Sequence, residues 1–529
     1  CGDCSLASNC LSVVPVETEF GRKRAIDQSS CNKDFSCLNG FCPSFVTVEG
    51  GRFRRQPAAI GMPSVPLREP DRPSVPDVYN VLIAGVGGTG IITIGALLGM
   101  AAHLEGRSCS VLDMTGMAQK GGAVVTHVRI GPPGQTPPSA KVPQAGADLV
   151  LGCDLLVAAQ PETLAVIAPG RSHVVLNTHE TVTGAFTRDP DAAQPTKLLL
   201  ELVRAAADGR VDALDATAMA TRLVGDGIAT NLFMLGYAYQ QGRIPMSAAA
   251  IDRAIELNGV AVETNRLAFR WGRLAAAAPA EIDRTLAGDG PHAPLATTLE
   301  DIVARRVEYL TRYQDARYAE RYRALVMRVA AKEAAILPQR RELSTAVARG
   351  LFKLMAYKDE YEVARLYTET PFLDDLRRHF DGDVRFTFHL APPLLAARDP
   401  ATGETRKRAF GPWMLRVFRV LAKFKVLRGT RFDPFGYTAE RRLERRLVAE
   451  YAALIKRLVT GLTAANYDVA VDLARLPETM RGFGHVKKRN VAKAKAREAE
   501  LLALWIAGDT TPGGEAAPTH KRPAAASAA

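Results

Sequence analysis

Cysteine is the residue type here with the clearest chemistry. Six of the eight cysteines fall early, at Cys1, Cys4, Cys10, Cys31, Cys37 and Cys42, and the other two are Cys109 and Cys153. Thiolates are soft, strongly donating metal ligands. A disulfide framework belongs to small secreted chains, and this one has 529 residues. Its start, Cys1-Gly2-Asp3-Cys4, offers neither a basic segment nor an apolar segment of a secretory signal. The cluster therefore reads as a metal site in a reducing, cytoplasmic setting. Opening on a cysteine motif rather than Met, the chain reads as the C-terminal part of a longer protein.

The spacing is C-x2-C-x5-C, a gap of 20 residues, then C-x5-C-x4-C-P. Paired iron–sulfur runs repeat C-x2-C-x2-C-x3-C-P, and the last Cys of each run ligates the cluster of the other. Asp34 stands at the middle position between Cys31 and Cys37, and Cys42-Pro43 closes the run one residue late. The first run lacks its opening Cys, which would lie three residues before Cys1. Crossing the runs in that manner gives two sets. One is the missing Cys with Cys1, Cys4 and Cys42, a 4Fe-4S set. The other is Cys10, Cys31, Asp34 and Cys37. A carboxylate is a harder, more labile ligand, which leaves the second cluster open between an Asp-ligated form and 3Fe-4S. Structural zinc, which also takes four thiolates, is the rival reading. Asp34 reads equally as a turn residue.

A second constellation is Gly85-Val86-Gly87-Gly88-Thr89-Gly90, with Gly121 and Gly122 in a later glycine turn. Glycines between a strand and a helix bring amide N–H groups to a helix N-terminus, where an anion or a dinucleotide is held. The acid that a dinucleotide site needs would be Asp113, 23 residues after Gly90. Two glycine loops at one sheet edge would shape a phosphate-binding or partner-docking crevice. The plain alternative is tight turns and close helix packing. Gly225-Asp226-Gly227 with Asn258 mimics a thiamine diphosphate motif, but it reads better as a helix start followed by a helix C-cap.

These residues need elements to position them. Tyr79 to Ala84 is an apolar run of buried-strand length, and Ile91 to His103 has helical spacing. Strands are expected at 110–114, 123–130, 148–151 and 173–176, with a helix over Leu155–Ile167. The fold class is thus α/β, a doubly wound domain over 79–275. It follows a ferredoxin-like cysteine segment (1–50) and a Pro-rich linker (51–78) that blocks regular structure. A mainly helical region (276–507) and a disordered tail (508–529) complete the chain. Asn80 to Leu104 lacks charge and contains Gly95-Ala96-Leu97-Leu98-Gly99, the features of a membrane helix. Its early glycines fit strand–turn–helix instead, so no membrane span is expected.

Hydrophobic residues are 47% and charged residues 23%, a soluble globular composition that excludes a disordered or collagenous chain. Net charge is +12. Basic runs at 416–425, 428–446 and from Lys487 read as solvated helix faces or a surface for an acidic protein, not as a nucleic-acid site. His389 sits on the polar face of a short strand around 384–390.

With these residues in view, the sequence resembles the long fused form of indolepyruvate ferredoxin oxidoreductase. The resemblance rests on Cys1-Gly2-Asp3-Cys4, the stretch Val14 to Arg24, and Asp27-Gln28-Ser29-Ser30-Cys31-Asn32-Lys33-Asp34. It continues through Gly85 to Gly90 and Met117 to Gly122, which are similar to the gamma-type domain of 2-oxoacid:ferredoxin oxidoreductases. Asn231 to Tyr237 and Ala254 to Gly259 fit that domain's helical end, and Met480 to Lys487 resembles the family's C-terminal region. The resemblance implies oxidative decarboxylation of an aryl 2-oxoacid with coenzyme A, and electrons passing through iron–sulfur clusters to ferredoxin. Thiamine diphosphate and Mg would then lie in domains upstream of Cys1, and a homo-oligomer is expected. The alternative is a non-catalytic electron-transfer or zinc-stabilised docking module. Arg22-Lys23-Arg24, between the cysteine runs, reads either as a solvated loop or as the landing point for an acidic ferredoxin.

Overall fold

The computed structural model describes residues 1–28, 30–53, 65–116, 122–181, 184–189, 195–288, 296–392 and 406–509. A two-stranded hairpin joins β1 (Val13–Val16) and β2 (Lys23–Ile26). The strands that follow are β3 (Phe45–Phe53), β4 (Tyr79–Val86), β5 (Ser108–Thr115), β6 (Ala123–Gly131), β7 (Leu149–Gly152), β8 (His173–Asn177) and β9 (Val211–Leu214). Two more, β10 (Phe380–Leu390) and β11 (Arg408–Phe410), come late in the chain.

The apolar run at Val81–Ala84 forms the buried centre of a six-stranded sheet of order β5-β6-β4-β7-β8-β9. Strands β4, β7, β8 and β9 are parallel, as expected for a βα-alternating domain. The other edge differs: β6 runs antiparallel to both β4 and β5. β5 and β6 are consecutive antiparallel neighbours, and the sheet is mixed around a parallel core.

Helices cover both faces. One face carries Ile91–Leu104, Thr230–Gln240, Ala248–Asn258 and Val262–Ala277, and the other carries Leu155–Ala158 and Thr196–Ala206. The Gly95-x-x-x-Gly99 face lies on this sheet: a Cβ at Gly95 would stand 2.4 Å from Thr126 Cγ2. Among the described residues no helix is long and apolar enough to cross a membrane. The helix expected over 155–167 is two short pieces, Leu155–Ala158 and Pro161–Leu164. Pro161 supplies no N–H and restricts Gln160 to extended backbone, which breaks it.

Residues 299–509 are mainly helical, as expected, but they also carry a small sheet of order β11-β10-β3. β3 pairs with β10 from Phe53↔Phe380 to Phe45↔His389. Residues 51–53, read as linker, belong to this strand, because a ladder partner more than 300 positions away in the sequence satisfies their backbone. Residues 54–64 of the linker and 510–529 of the tail lie outside the described residues. The later linker is fastened to the large domain: Glu69 pairs with Arg273 at 2.9 Å, and Gln240 donates to Arg68 O at 2.8 Å.

In the basic runs Arg416, Arg419, Lys423, Arg442, Arg446, Lys488 and Arg489 are exposed, as expected for solvated faces, but three other cations point inward. The Arg428 side chain is buried, pairs with Asp359 at 2.5 Å and lies 3.7 Å from the Tyr313 ring. Arg441 pairs with Glu360 at 3.2 Å, and Lys487 with Glu444. These cations point inward because buried carboxylates stand ready to pair with them.

Candidate functional site

The cysteine block folds around a short helix, Asp3–Ser8, that starts on Gly2 in a left-handed conformation (φ +80°). Cys4 is buried on it. A 3-10 turn, Ser36–Asn39, carries Cys37. The two are pressed together at Gly40, where a Cβ would lie 2.5 Å from Cys4 Cα. Asp3 Oδ2 accepts from Phe41 N–H at 2.6 Å and fastens the same loop. All eight cysteines are free.

The thiols act on one another across the block. Burial pushes the Cys4 thiol above its ordinary value, and Cys42 adds to the push. Burial also raises Cys37, with further contributions from Cys4, Cys31 and Cys10. Cys4 thus lies near enough to act on both Cys42 and Cys37, so the block brings thiols of both expected sets together. Among the described residues no three Cys, His, Asp or Glu side chains already stand close enough to grip a single metal ion. The donor chemistry nevertheless fits a thiolate-bound group, and one buried polar atom beside it has no protein partner, the Ser5 hydroxyl. A hydroxyl next to Cys4 can donate to sulfur.

Asp34 is exposed and serves the turn: its Oδ1 accepts from Ser36 N–H at 3.0 Å and Ser36 Oγ at 2.9 Å. A ligand role would ask this carboxylate to serve the metal as well as the turn. Cys109 and Cys153 lie in the large domain, pushed up by burial to about 11 and about 12, so they remain thiols at neutral pH.

The first glycine turn lies at the end of β4. Gly88 and Gly90 hold φ of +88° and +92°, a region that costs glycine least. Gly87 N–H donates to Gly122 O at 2.8 Å, so the two glycine loops do meet. Gly85 lets Ile91 close over the strand end, since a Cβ there would stand 2.5 Å from Ile91 Cδ1. Gly121 lies outside the described residues. Sequence reasoning missed the residue that sets this turn: buried Asn231 donates from Nδ2 to Thr89 O at 2.7 Å. Its polar side chain inside an otherwise apolar helix, Thr230–Gln240, was the available signal.

The dinucleotide option loses its acid. β6 separates β5 from β4, and Asp113 accepts from Thr126 Oγ1 at 2.6 Å. The thiamine-like residues are helix caps, as expected. Gly225 ends one helix at φ +90°, Asp226 accepts from Ile228 N–H at 3.0 Å, and Gly259 ends another helix at φ +70°.

The domain is thus a mixed α/β sheet domain whose two glycine loops meet, preceded by a thiol-rich segment. Residues 80–275 match the family described as pyruvate ferredoxin/flavodoxin oxidoreductase. Residues 299–500 match a family of unknown function, DUF6537. Indolepyruvate oxidoreductase subunit IorB of Methanothermobacter thermautotrophicus is 30% identical over 203 residues, covering 38% of this chain and 98% of that protein. The same subunit of Pyrococcus horikoshii is 31% identical over 202 residues, covering 37% and 96%. A crystal structure of pyruvate oxidoreductase subunit PORC from Thermotoga maritima covers 37% of this chain and 96% of its own, at 20% identity and a TM-score of 0.28. The chain belongs to the 2-oxoacid:ferredoxin oxidoreductase family.

Proposed function

We propose that this chain is the electron-transfer and gamma-type portion of an indolepyruvate-type (aryl 2-oxoacid):ferredoxin oxidoreductase. The overall reaction joins the oxoacid and coenzyme A into acyl-CoA, releases CO2 and sends two electrons to ferredoxin. Thiamine diphosphate and Mg belong, in this reading, to domains preceding Cys1. The observation that supports it is the gathering of Cys4, Cys10, Cys31, Cys37 and Cys42 near enough to act on one another's charge, in a segment attached to a family-matched domain. When bound there, iron–sulfur clusters would accept and pass on single electrons. Cys1, Cys4 and Cys42 would hold one, completed by a cysteine upstream. Cys10, Cys31 and Cys37 would hold the other, with Asp34 as its labile corner. Ser5 would aim its hydroxyl at the first. Gly85, Gly87, Gly88 and Gly90, with Gly121 and Gly122, would form a crevice for an anionic group or for the neighbouring catalytic domain.

Anaerobic reconstitution with iron and sulfide tests the reading. The expected product is brown, with broad absorbance near about 400 nm from thiolate–iron charge transfer and an EPR signal on reduction. A colourless protein that retains zinc instead would leave the docking-module alternative standing. Asp34→Cys is expected to raise iron retention at the second site; unchanged iron and EPR would leave Asp34 as a turn residue only.

A further inference from the structure

Lys407 precedes β11, in the region that matches a family of unknown function. Its side chain is half-buried. The ammonium donates to Gly40 O at 2.5 Å and lies 4.5 Å from the centre of the Phe45 ring. Gly40 stands between Cys37 and Cys42 and presses on the Cys4 backbone. One cation from the far end of the chain therefore touches the loop that carries two of the thiols, where that loop meets a third.

Its charge lacks an ordinary partner. Among the described residues no carboxylate stands within ion-pair distance of Lys407. A half-buried ammonium is costly without a counter-anion. Burial pulls its pKa down, and the groups that oppose this and favour the charged state are Cys42, Cys37, Cys4 and Asp3, in that order. Three of the four are thiols of the block, so their anionic form is the natural counter-charge. Mere fastening does not require a cation, since nearby Tyr367 holds Pro43 O with a neutral hydroxyl at 2.9 Å.

We propose that Lys407 is a positioning residue for the redox centre: it closes the Cys37–Cys42 loop against Cys4 and gives the centre held there a fixed positive charge. This rests on the iron–sulfur reading above. Adding an electron makes such a centre more negative, so a neighbouring cation favours the reduced form. The step is a one-electron reduction in which no bond forms or breaks. The region of unknown function then supplies part of the cluster's surroundings, through Lys407, Tyr367 and the β3–β10 ladder.

The test uses the full chain, reconstituted anaerobically, as wild type, Lys407→Met, Lys407→Gln and Lys407→Arg. Iron and sulfide are counted, and midpoint potentials are read by EPR-monitored redox titration. The neutral variants are expected to be three- to tenfold harder to reduce, a tenfold change corresponding to about 59 mV for one electron. Lys407→Arg keeps the charge and should stay near wild type. Loss of iron from both neutral variants, with retention in Lys407→Arg, also supports the assignment. Neutral variants with wild-type iron and potential would overturn it, and so would Lys407→Arg failing as badly as they do. A wild-type chain that takes up no iron and sulfide would instead bring down the iron–sulfur reading itself.

Discussion

At the scale of single residues, polar groups are set by what they face. His127 lies on β6 between β4 and β5, only 3% exposed, and its Nδ1 accepts from Val142 N–H at 3.2 Å. The accepting nitrogen must be unprotonated, so the neutral ring carries its proton on Nε2. Burial pulls its pKa down from 6.5 to about 4, with nearby Lys141 acting in the same direction. The sign follows from linkage: between these values the unfolded chain binds the extra proton, so stability falls as pH drops from about 6.5 toward 4. The loss is on the order of 2 kcal/mol by the lower end of that window. Gln at 127 can still accept from Val142 N–H but cannot titrate. Urea midpoints measured at pH 7 and pH 5 should therefore separate widely for the wild type and much less for His127→Gln. Equal pH slopes in the two proteins would show that another group controls acid sensitivity. Cysteine was legible at this scale because its density is informative by itself. Asn231 was not, because a lone amide in a helix gives no hint of which carbonyl it will meet.

At the scale of elements, local pattern was readable and partnership was not. The β4–glycine turn–helix unit follows from an apolar run, four glycines and helical spacing, and it forms where expected. The strand at 123–131 was equally clear from alternation. Its antiparallel insertion between β4 and β5 was not, since alternation specifies faces and leaves the neighbours open. The same limit hid β3, whose partner lies in β10. The helix Ile91–Leu104 shows how a partner, once known, explains a residue. Gly95 faces Thr126, a buried β-branched side chain whose hydroxyl is tied to Asp113. Such a side chain cannot swing aside cheaply. Gly95→Ala gains about 1 kcal/mol of helix propensity but meets Cγ2 at 2.4 Å. Overpacking costs typically about 1–3 kcal/mol, so a net loss of about 1 kcal/mol is expected. Thr126→Ser removes that methyl and keeps the hydroxyl. The double variant should recover most of the loss, and a denaturation double-mutant cycle reads the coupling directly. Strict additivity would mean that the helix shifts away from the sheet instead of clashing with it.

At the scale of the whole molecule, the cysteine segment is built into the helical region. Glu19, in the β1–β2 turn, pairs with Arg306 at 2.8 Å and Arg305 at 3.0 Å, and Phe20 stacks on Phe352 at 5.2 Å. Composition and motif reading separated these regions because contacts spanning nearly 300 positions leave no local trace. The folded arrangement also redraws the basic triplet. Arg22 pairs with Glu17 at 2.5 Å, and Arg24 lies 4.8 Å from the Phe186 ring of the large domain. Lys23 is exposed along its length, while Lys358 and Arg481 lie near enough to act on its ammonium. If an acidic ferredoxin lands here, Lys23 is the member of the triplet that steers it. Its pKa is pulled down to about 8, first by burial and then by those two cations. The steering charge is present below that value and is lost as pH rises through it. Ferredoxin reduction by the reconstituted chain, chemically pre-reduced, should therefore slow between about pH 7 and pH 9, while reduction of a small neutral dye should not. Lys23→Gln should slow the ferredoxin reaction at pH 7, flatten its salt dependence and erase the pH effect. Equal slowing with both acceptors would place the damage at the redox centre, and no change with either would move the landing surface elsewhere on the molecule.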